Sequence, residues 1–286
     1  MSSMKAIKKR IYSVDSTKKI MKAMNLVATS KLQKAKSRLD HIRPLFDNLS
    51  LVMDSIKRGL APDEELAFAE KREVKNIAYI ILSSDRGLCG GFNTAVSKEA
   101  LTFISSNKDK QEHIIAVGVK GWEYFRRRGK NIIQKTLGPS EATAFVDAEI
   151  IGAQAVRLYQ SGEVDEVYII YTHFESILSH VPYTVKLLPI SSETTGLSES
   201  NTIMTYDPDA KSFIENAVPM FLNMSIYGAM MESAVCELAS RMTSMDSATR
   251  NATEIIEDLT LAYNRKRQSM ITQEITEIVT GANALN

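Results

Sequence analysis

Phe221, Met224, Gly228, Met231, Val235, Leu238, Met242, Met245, Thr249, Ala252, Ile256, Leu259 and Tyr263 succeed one another at alternating steps of three and four residues. All are apolar or small except Thr249. A three-four rhythm held this long is the seam of a coiled coil, narrower than the apolar face of an ordinary globular helix. The stretch from Ala217 to Asn286 has Pro219 near its start and no proline after it. It predicts one helix of roughly 100 Å, at ~1.5 Å per residue. The remaining chain is too small to cover such a rod, so the rod needs partners elsewhere. After Tyr263 the phase slips: Arg267, Ile271, Ile275, Ile278 and Ala282 continue one position out of register.

The other end of the chain repeats the pattern. Met4, Ile7, Ile11, Val14, Met21, Ala28, Leu32, Ala35, Leu39, Ile42, Phe46, Leu49, Met53 and Ile56 keep the same spacing, with Lys18 and Asn25 as the polar seam positions. Met24 stands beside Asn25 and can fill that layer. Pro44 removes one backbone donor but the spacing resumes after it, so it should bend the helix rather than end it. Gly59, Ala61 and Pro62 close the helix. Two such helices in one chain can pair antiparallel, with everything between them inserted at one end. Between Lys5 and Arg38, Asp15 is the only acid, whereas the last helix offers Glu232, Glu237, Glu254, Glu257, Asp258, Glu274 and Glu277. Opposite charges flanking a seam help set orientation. The basic run reads either as a solvated face or as a contact with acidic groups on a partner.

Residues 60–73 are charged and linker-like. From Val74 the texture changes to strands (Ile77–Leu82, His113–Gly118, Ile132–Ile133, Glu166–Tyr171, Tyr183–Leu188) alternating with helices (Asn93–Ser105, Trp122–Arg128, Ala142–Tyr159). The continuous apolar run Ile77–Leu82 fits a strand buried on both faces, and the alternation implies a small Rossmann-like α/β domain with a mainly parallel sheet. The expected organisation is therefore an N-terminal helix over 1–60, an α/β domain over 74–190 and a C-terminal helix over 207–286. Asp207 or Asp209 is a candidate cap for the last helix.

Bulk properties narrow the class. The chain has 286 residues, enough for one sizeable domain and an extended element. A net charge of +1 gives no whole-chain argument for nucleic acid. Cys89 and Cys236 make neither a disulfide framework nor a zinc pattern and fit a reducing compartment. No apolar run approaches the ~20 residues that span a bilayer.

Ser84-Asp85-Arg86-Gly87-Leu88-Cys89-Gly90-Gly91-Phe92-Asn93 lies between a strand and a helix, where phosphate loops occur. It lacks both the Gly-Lys-Ser/Thr of a P-loop and the G-x-G-x-x-G spacing, so it reads as a structural turn. Cys89 has no histidine nearby to serve as base and reads as a small buried side chain. His41, His113, His173 and His180 are scattered, and none pairs at metal-ligand spacing. His173 and His180 flank a strand turn, where a hydrogen-bonded structural role is the default. No catalytic constellation, metal site or cofactor motif emerges. This composition describes a mechanical part better than an enzyme.

Three stretches carry a resemblance. They are Ile20-Met21-Lys22-Ala23-Met24-Asn25-Leu26-Val27-Ala28-Thr29-Ser30-Lys31-Leu32, the Ser84–Asn93 turn, and Tyr263-Asn264-Arg265-Lys266-Arg267-Gln268 followed by Ile271–Ala282; Met245–Ala252 fits as well. In order and distance they resemble the gamma subunits of F-type ATP synthases, over the whole chain. The resemblance implies a rotor shaft inside a hexamer of alpha and beta subunits. The α/β foot would rest with the epsilon subunit on the membrane c-ring, and membrane association would be indirect, on the cytoplasmic face of a bacterial membrane. It implies proton-coupled ATP synthesis with no nucleotide chemistry, cofactor or metal on this chain. Arg267 and Gln268 match the pair that engages a beta-subunit loop, with Thr272 and Glu274 one turn on. Met24 and Arg241 match shaft positions near a beta lever segment. Lys9 and Arg10 fall where the basic face meets beta, and Tyr206 and Asp207 fall in the foot region near the c-ring and epsilon. The slip after Tyr263 then marks where the helix runs on without its mate. Lys266 departs from the alanine common in relatives, and no cysteine-paired insertion is present, which points to a bacterial protein. The alternative from a different class is a coiled-coil nucleic-acid-binding or scaffolding protein using the basic first helix.

Overall fold

The computed structural model describes residues 4–59, 68, 72–140, 142–190 and 210–283. The elements run α1 (Met4–Gly59), β1 (Asn76–Leu82), α2 (Phe92–Ser106), β2 (Gln111–Val117), α3 (Val119–Arg126), β3 (Ile132–Thr136), α4 (Phe145–Gln160), β4 (Glu166–Phe174), β5 (His180–Leu188) and α5 (Ala210–Asn283). Helix α1 continues through Pro44, and α5 through Pro219. The candidate caps Asp207 and Asp209 and the foot residue Tyr206 lie outside the described residues. The chain divides into two compact units, one of residues 29–241 and one of residues 1–28 with 242–286.

The larger unit is built on a five-stranded sheet of order β3-β2-β1-β4-β5. The first four strands are parallel, and β5 runs antiparallel against β4. Alternate residues of a strand face opposite sides, which sorts the apolar run of β1 into two cores. Ala78, Ile80 and Leu82 join Ile115 and Val117 of β2, Ile151 and Ala155 of α4, and Leu222, Ile226 and Met230 of α5. Ile77, Tyr79 and Ile81 face the other way, onto Val96, Ala100 and Ile104 of α2 and Phe125 of α3. Burial on both faces is why β1 carries no polar alternation. Within this unit Leu32, Ala35 and Leu39 form the buried stripe of α1. Further along α1, Arg43 pairs with Glu232 of α5 at 3.4 Å.

The smaller unit is a helix pair. On α1 the seam positions 4, 7, 11, 14, 18, 21, 25 and 28 are all at least half-buried, including the polar Lys18 and Asn25. Asn25 is accommodated because its Nδ2 donates to the Met242 carbonyl at 2.9 Å. On α5 the seam Met245, Thr249, Ala252, Ile256, Leu259 and Tyr263 is shielded, and so is Lys266, the next position in step. Opposite residues of an antiparallel pair with equal rise have a constant sum of numbers. The Asn25–Met242 bond therefore sets Met4, the first described residue, level with Tyr263. From Arg267 onward every described α5 side chain is exposed.

Candidate functional site

In open parallel sheets, ligands bind beyond the carboxyl ends of the strands where strand order reverses. That point falls here between β1 and β4, and α5 crosses it. Ser233 Oγ accepts from the Thr172 N–H at 3.4 Å, and Cys236 Sγ donates to the Thr172 carbonyl at 3.5 Å. Ser240 Oγ donates to the Cys89 carbonyl at 2.7 Å. Residues 233–240 of α5 are buried throughout.

The turn after β1 spends its polar groups on itself. Asn93 Oδ1 accepts from the Ser84 N–H at 2.9 Å, and Asn93 Nδ2 donates to Ser84 Oγ at 2.7 Å and to Cys89 Sγ at 3.2 Å. Asp85 Oδ1 accepts from the N–H groups of Val119 and Gly138, at 3.0 and 2.9 Å. The aspartate thus joins the turn to α3 and to the segment after β3. Burial pushes the thiols of Cys89 and Cys236 up, so neither is a thiolate nucleophile at neutral pH. A groove of about 560 Å³ between α4 and α5 has Arg157 as its one charged lining residue. No cluster of three or more metal-ligating side chains exists among the described residues. No described helix is long and apolar enough to cross a membrane.

Arg241 fastens the turn to α5. Its Nη1 lies 2.5 Å from Glu237 Oε1, and its Nη2 donates to the carbonyls of Arg86 and Gly87 at 3.4 and 3.2 Å. Both side chains are nearly buried, 13% and 10% exposed. Breaking such a pair leaves a stranded charge, so Arg241→Ala should cost about 3 kcal/mol in chemical denaturation. Arg241→Met combined with Glu237→Gln should recover most of it. A loss below half a kcal/mol for the single change would remove the clasp.

The sequence-predicted contact residues fall on separate surfaces. Lys9, Arg10, Arg267, Gln268, Thr272 and Glu274 are exposed in the smaller unit, and Met24 is half-buried beside its seam. Arg241 lies in the larger unit, engaged as described above. Sequence reasoning missed the bridge in which Glu232 holds Arg43 on one oxygen and His173 Nδ1, at 2.7 Å, on the other. The only sequence signal was an acid on the inward side of α5, and its partners lie far away along the chain. His173 is bonded as expected, whereas His180 Nδ1 is buried without a partner.

The model of the ATP synthase family matches residues 3–285. An ATP synthase gamma chain of Alkaliphilus metalliredigens is 40% identical over 99% of this chain and 98% of its own length. A gamma chain of Acetobacterium woodii described as sodium ion specific is also 40% identical, over 98% of each chain. Among solved structures, a chain of the Euglena gracilis mitochondrial ATP synthase, in its OSCP/F1/c-ring assembly, superposes with a TM-score of 0.70 at 16% identity. That match covers 99% of this chain and 94% of the other. A chain of the Tetrahymena thermophila central stalk and c-ring gives 0.59 at 23% identity, over 80% and 99%. The family model and these relatives, matching from end to end, place the chain in the ATP synthase gamma chain family.

Proposed function

We propose that this chain is the central shaft of an F1Fo ATP synthase, carrying rotation of the membrane c-ring to the alpha and beta subunits for proton-coupled ATP synthesis. The observation that carries the reading is the end of α5. Its seam is shielded as far as Lys266, and every described side chain beyond is exposed. Ile271, Ile275 and Ile278 recur there at helical spacing, 47%, 56% and 71% exposed. Helix this isolated is marginal in water unless something packs on its apolar face. A surrounding hexamer supplies that cover. The alternative, nucleic-acid binding by the first helix, has no support from the relatives.

Arg267 and Gln268 are the residues that would grip a beta subunit, with Thr272, Glu274, Met24, Lys9 and Arg10 in the same contact. Tyr206 and Asp207 are assigned to the c-ring and epsilon on resemblance alone, and the limits 1–60, 74–190 and 207–286 remain the proposed domain division. The chain itself is non-catalytic in this reading. Its strand-end crevice is filled by α5, which leaves nucleotide chemistry to other subunits. It sits peripherally on the cytoplasmic face of the membrane, held through the ring. A relative named sodium ion specific is as similar as the others, so identity at this level does not separate proton from sodium coupling.

Co-expression with ATP synthase alpha and beta subunits tests the proposal. One copy of this chain per hexamer is the expected stoichiometry. A chain that fails to co-purify with them is not a shaft.

A further inference from the structure

Helix α3 ends at Arg126, and Arg127 and Arg128 form the turn that leads through Lys130 into β3. The turn is tied to the start of β2, because Lys130 Nζ reaches Glu112 at 2.8 Å and Asn131 Nδ2 donates to the Glu112 carbonyl. It therefore sits at the sheet edge where β1, β2 and β3 begin and β5 ends. Four lysines along this edge are matched by acids: Lys75 by Glu73, Lys110 by Asp109, Lys130 by Glu112 and Lys186 by Glu166. The three arginines are exposed and form no ion pair among the described residues. Glu123, an acid of the same helix, is bonded to Lys120 at 3.0 Å.

Two of these arginines are also ordered in advance. The Arg126 guanidinium lies 4.2 Å over the Trp122 ring, and that of Arg128 3.5 Å over Tyr124. Arg128 Nη1 further donates to the Tyr124 carbonyl. Lys135 covers Trp122 at 3.9 Å and extends the positive surface along β3. A side chain already stacked loses less freedom when it binds an anion.

We propose that this arginine turn is a contact for anionic phospholipid headgroups. Guanidinium forks match phosphate oxygens. Arg126 and Arg128 stack on Trp122 and Tyr124, which lie about 200° apart around α3, so these forks spread, which suits phosphates scattered over a surface better than one carboxylate on a protein. The placement against a membrane rests on the shaft reading, in which the α/β domain stands at the membrane ring. A lipid diffuses sideways, so a rotating foot touching headgroups is not anchored by them, as it would be by a fixed acidic protein.

Sedimentation of the purified full chain with vesicles tests the contact. The chain should bind vesicles of mixed phosphatidylglycerol and phosphatidylcholine, less so as salt rises, and should ignore phosphatidylcholine alone. Changing Arg126, Arg127 and Arg128 together to Gln should weaken binding about a hundredfold, whereas changing all three to Lys should retain most of it. Circular dichroism of both variants should match the unaltered chain, since the residues are exposed. Absence of binding to the mixed vesicles overturns the proposal, as does equal binding by the Gln variant. Loss of a co-purifying acidic subunit in the Gln variant, with vesicle binding unchanged, assigns the turn to protein instead. Co-purification of the unaltered chain with alpha and beta is scored separately, so failure of the shaft reading is distinguishable from failure of the lipid contact.

Discussion

Gly118→Ala should cost the larger unit about 3–5 kcal/mol of unfolding free energy, near the top of what single substitutions do. Gly118 follows β2 with φ at 101° and ψ at 142°, a conformation that side chains disfavour. A Cβ there would lie 2.2 Å from the Ser83 carbonyl oxygen and 2.5 Å from Ser83 Oγ. Neither strand end can retreat. The Ser83 N–H donates to the Val117 carbonyl at 2.7 Å, and the Gly118 N–H to the Thr136 carbonyl at 3.0 Å. Ser83 Oγ is held as well, donating to Val117 and accepting from the Gly121 N–H. The contrast is Gly129, whose φ is also positive at 67° but whose Cβ would meet nothing within 4 Å. Gly129→Ala should therefore cost only the backbone term, about 1–2 kcal/mol. Equal losses in urea denaturation of the two variants would show that close approach at the strand ends is not what Gly118 provides.

The sequence made the seam and the two-sided core legible, because both rest on local spacing. Every α1 position named from Met4 to Leu39, even Lys18 and Asn25, faces inward as the rhythm requires. What turned Asn25 from a defect into a fixture is the Met242 carbonyl, and no period reveals a partner so distant. The reversal of β5 was less visible. Strand periodicity carries no direction, so Tyr183–Leu188 read only as a strand. The clue was the brief link from Phe174 to His180, too short for the crossover that a parallel neighbour demands. Within the site, the turn after β1 was recognised as structural from its missing phosphate-loop residues. Its fastening by Ser240 and Arg241 was not, since those residues lie more than a hundred positions on and look like ordinary polar residues of a coiled coil. The arginine turn shows a similar limit: three basic residues in a row reveal neither the rings beneath them nor the pairing of neighbouring lysines.

Arg267→Ala with Gln268→Ala should lower ATP-driven ion pumping by the reconstituted complex at least tenfold while leaving the isolated chain folded. Both side chains are exposed, and among the described residues neither forms a hydrogen bond or ion pair. Their loss should change the stability of this chain by no more than about 0.5 kcal/mol. The expected cost arises only on assembly. An arginine fork closed on a carboxylate and cut off from water loses about 2–5 kcal/mol when truncated, much of it the penalty on the abandoned partner. Every 1.4 kcal/mol is a factor of ten, so even the low end exceeds a tenfold effect if that contact transmits torque. Arg265 supplies the internal control. It is also exposed and stands two residues before Arg267, which places it on roughly the opposite side of the helix from that arginine at about 100° per residue. Arg265→Ala should pump nearly as well as the unaltered complex. Unchanged pumping by the double variant would sink the grip at Arg267 and Gln268. Equal losses at Arg265 would mean that net charge on the helix end, rather than a directed fork, couples the shaft to its surroundings.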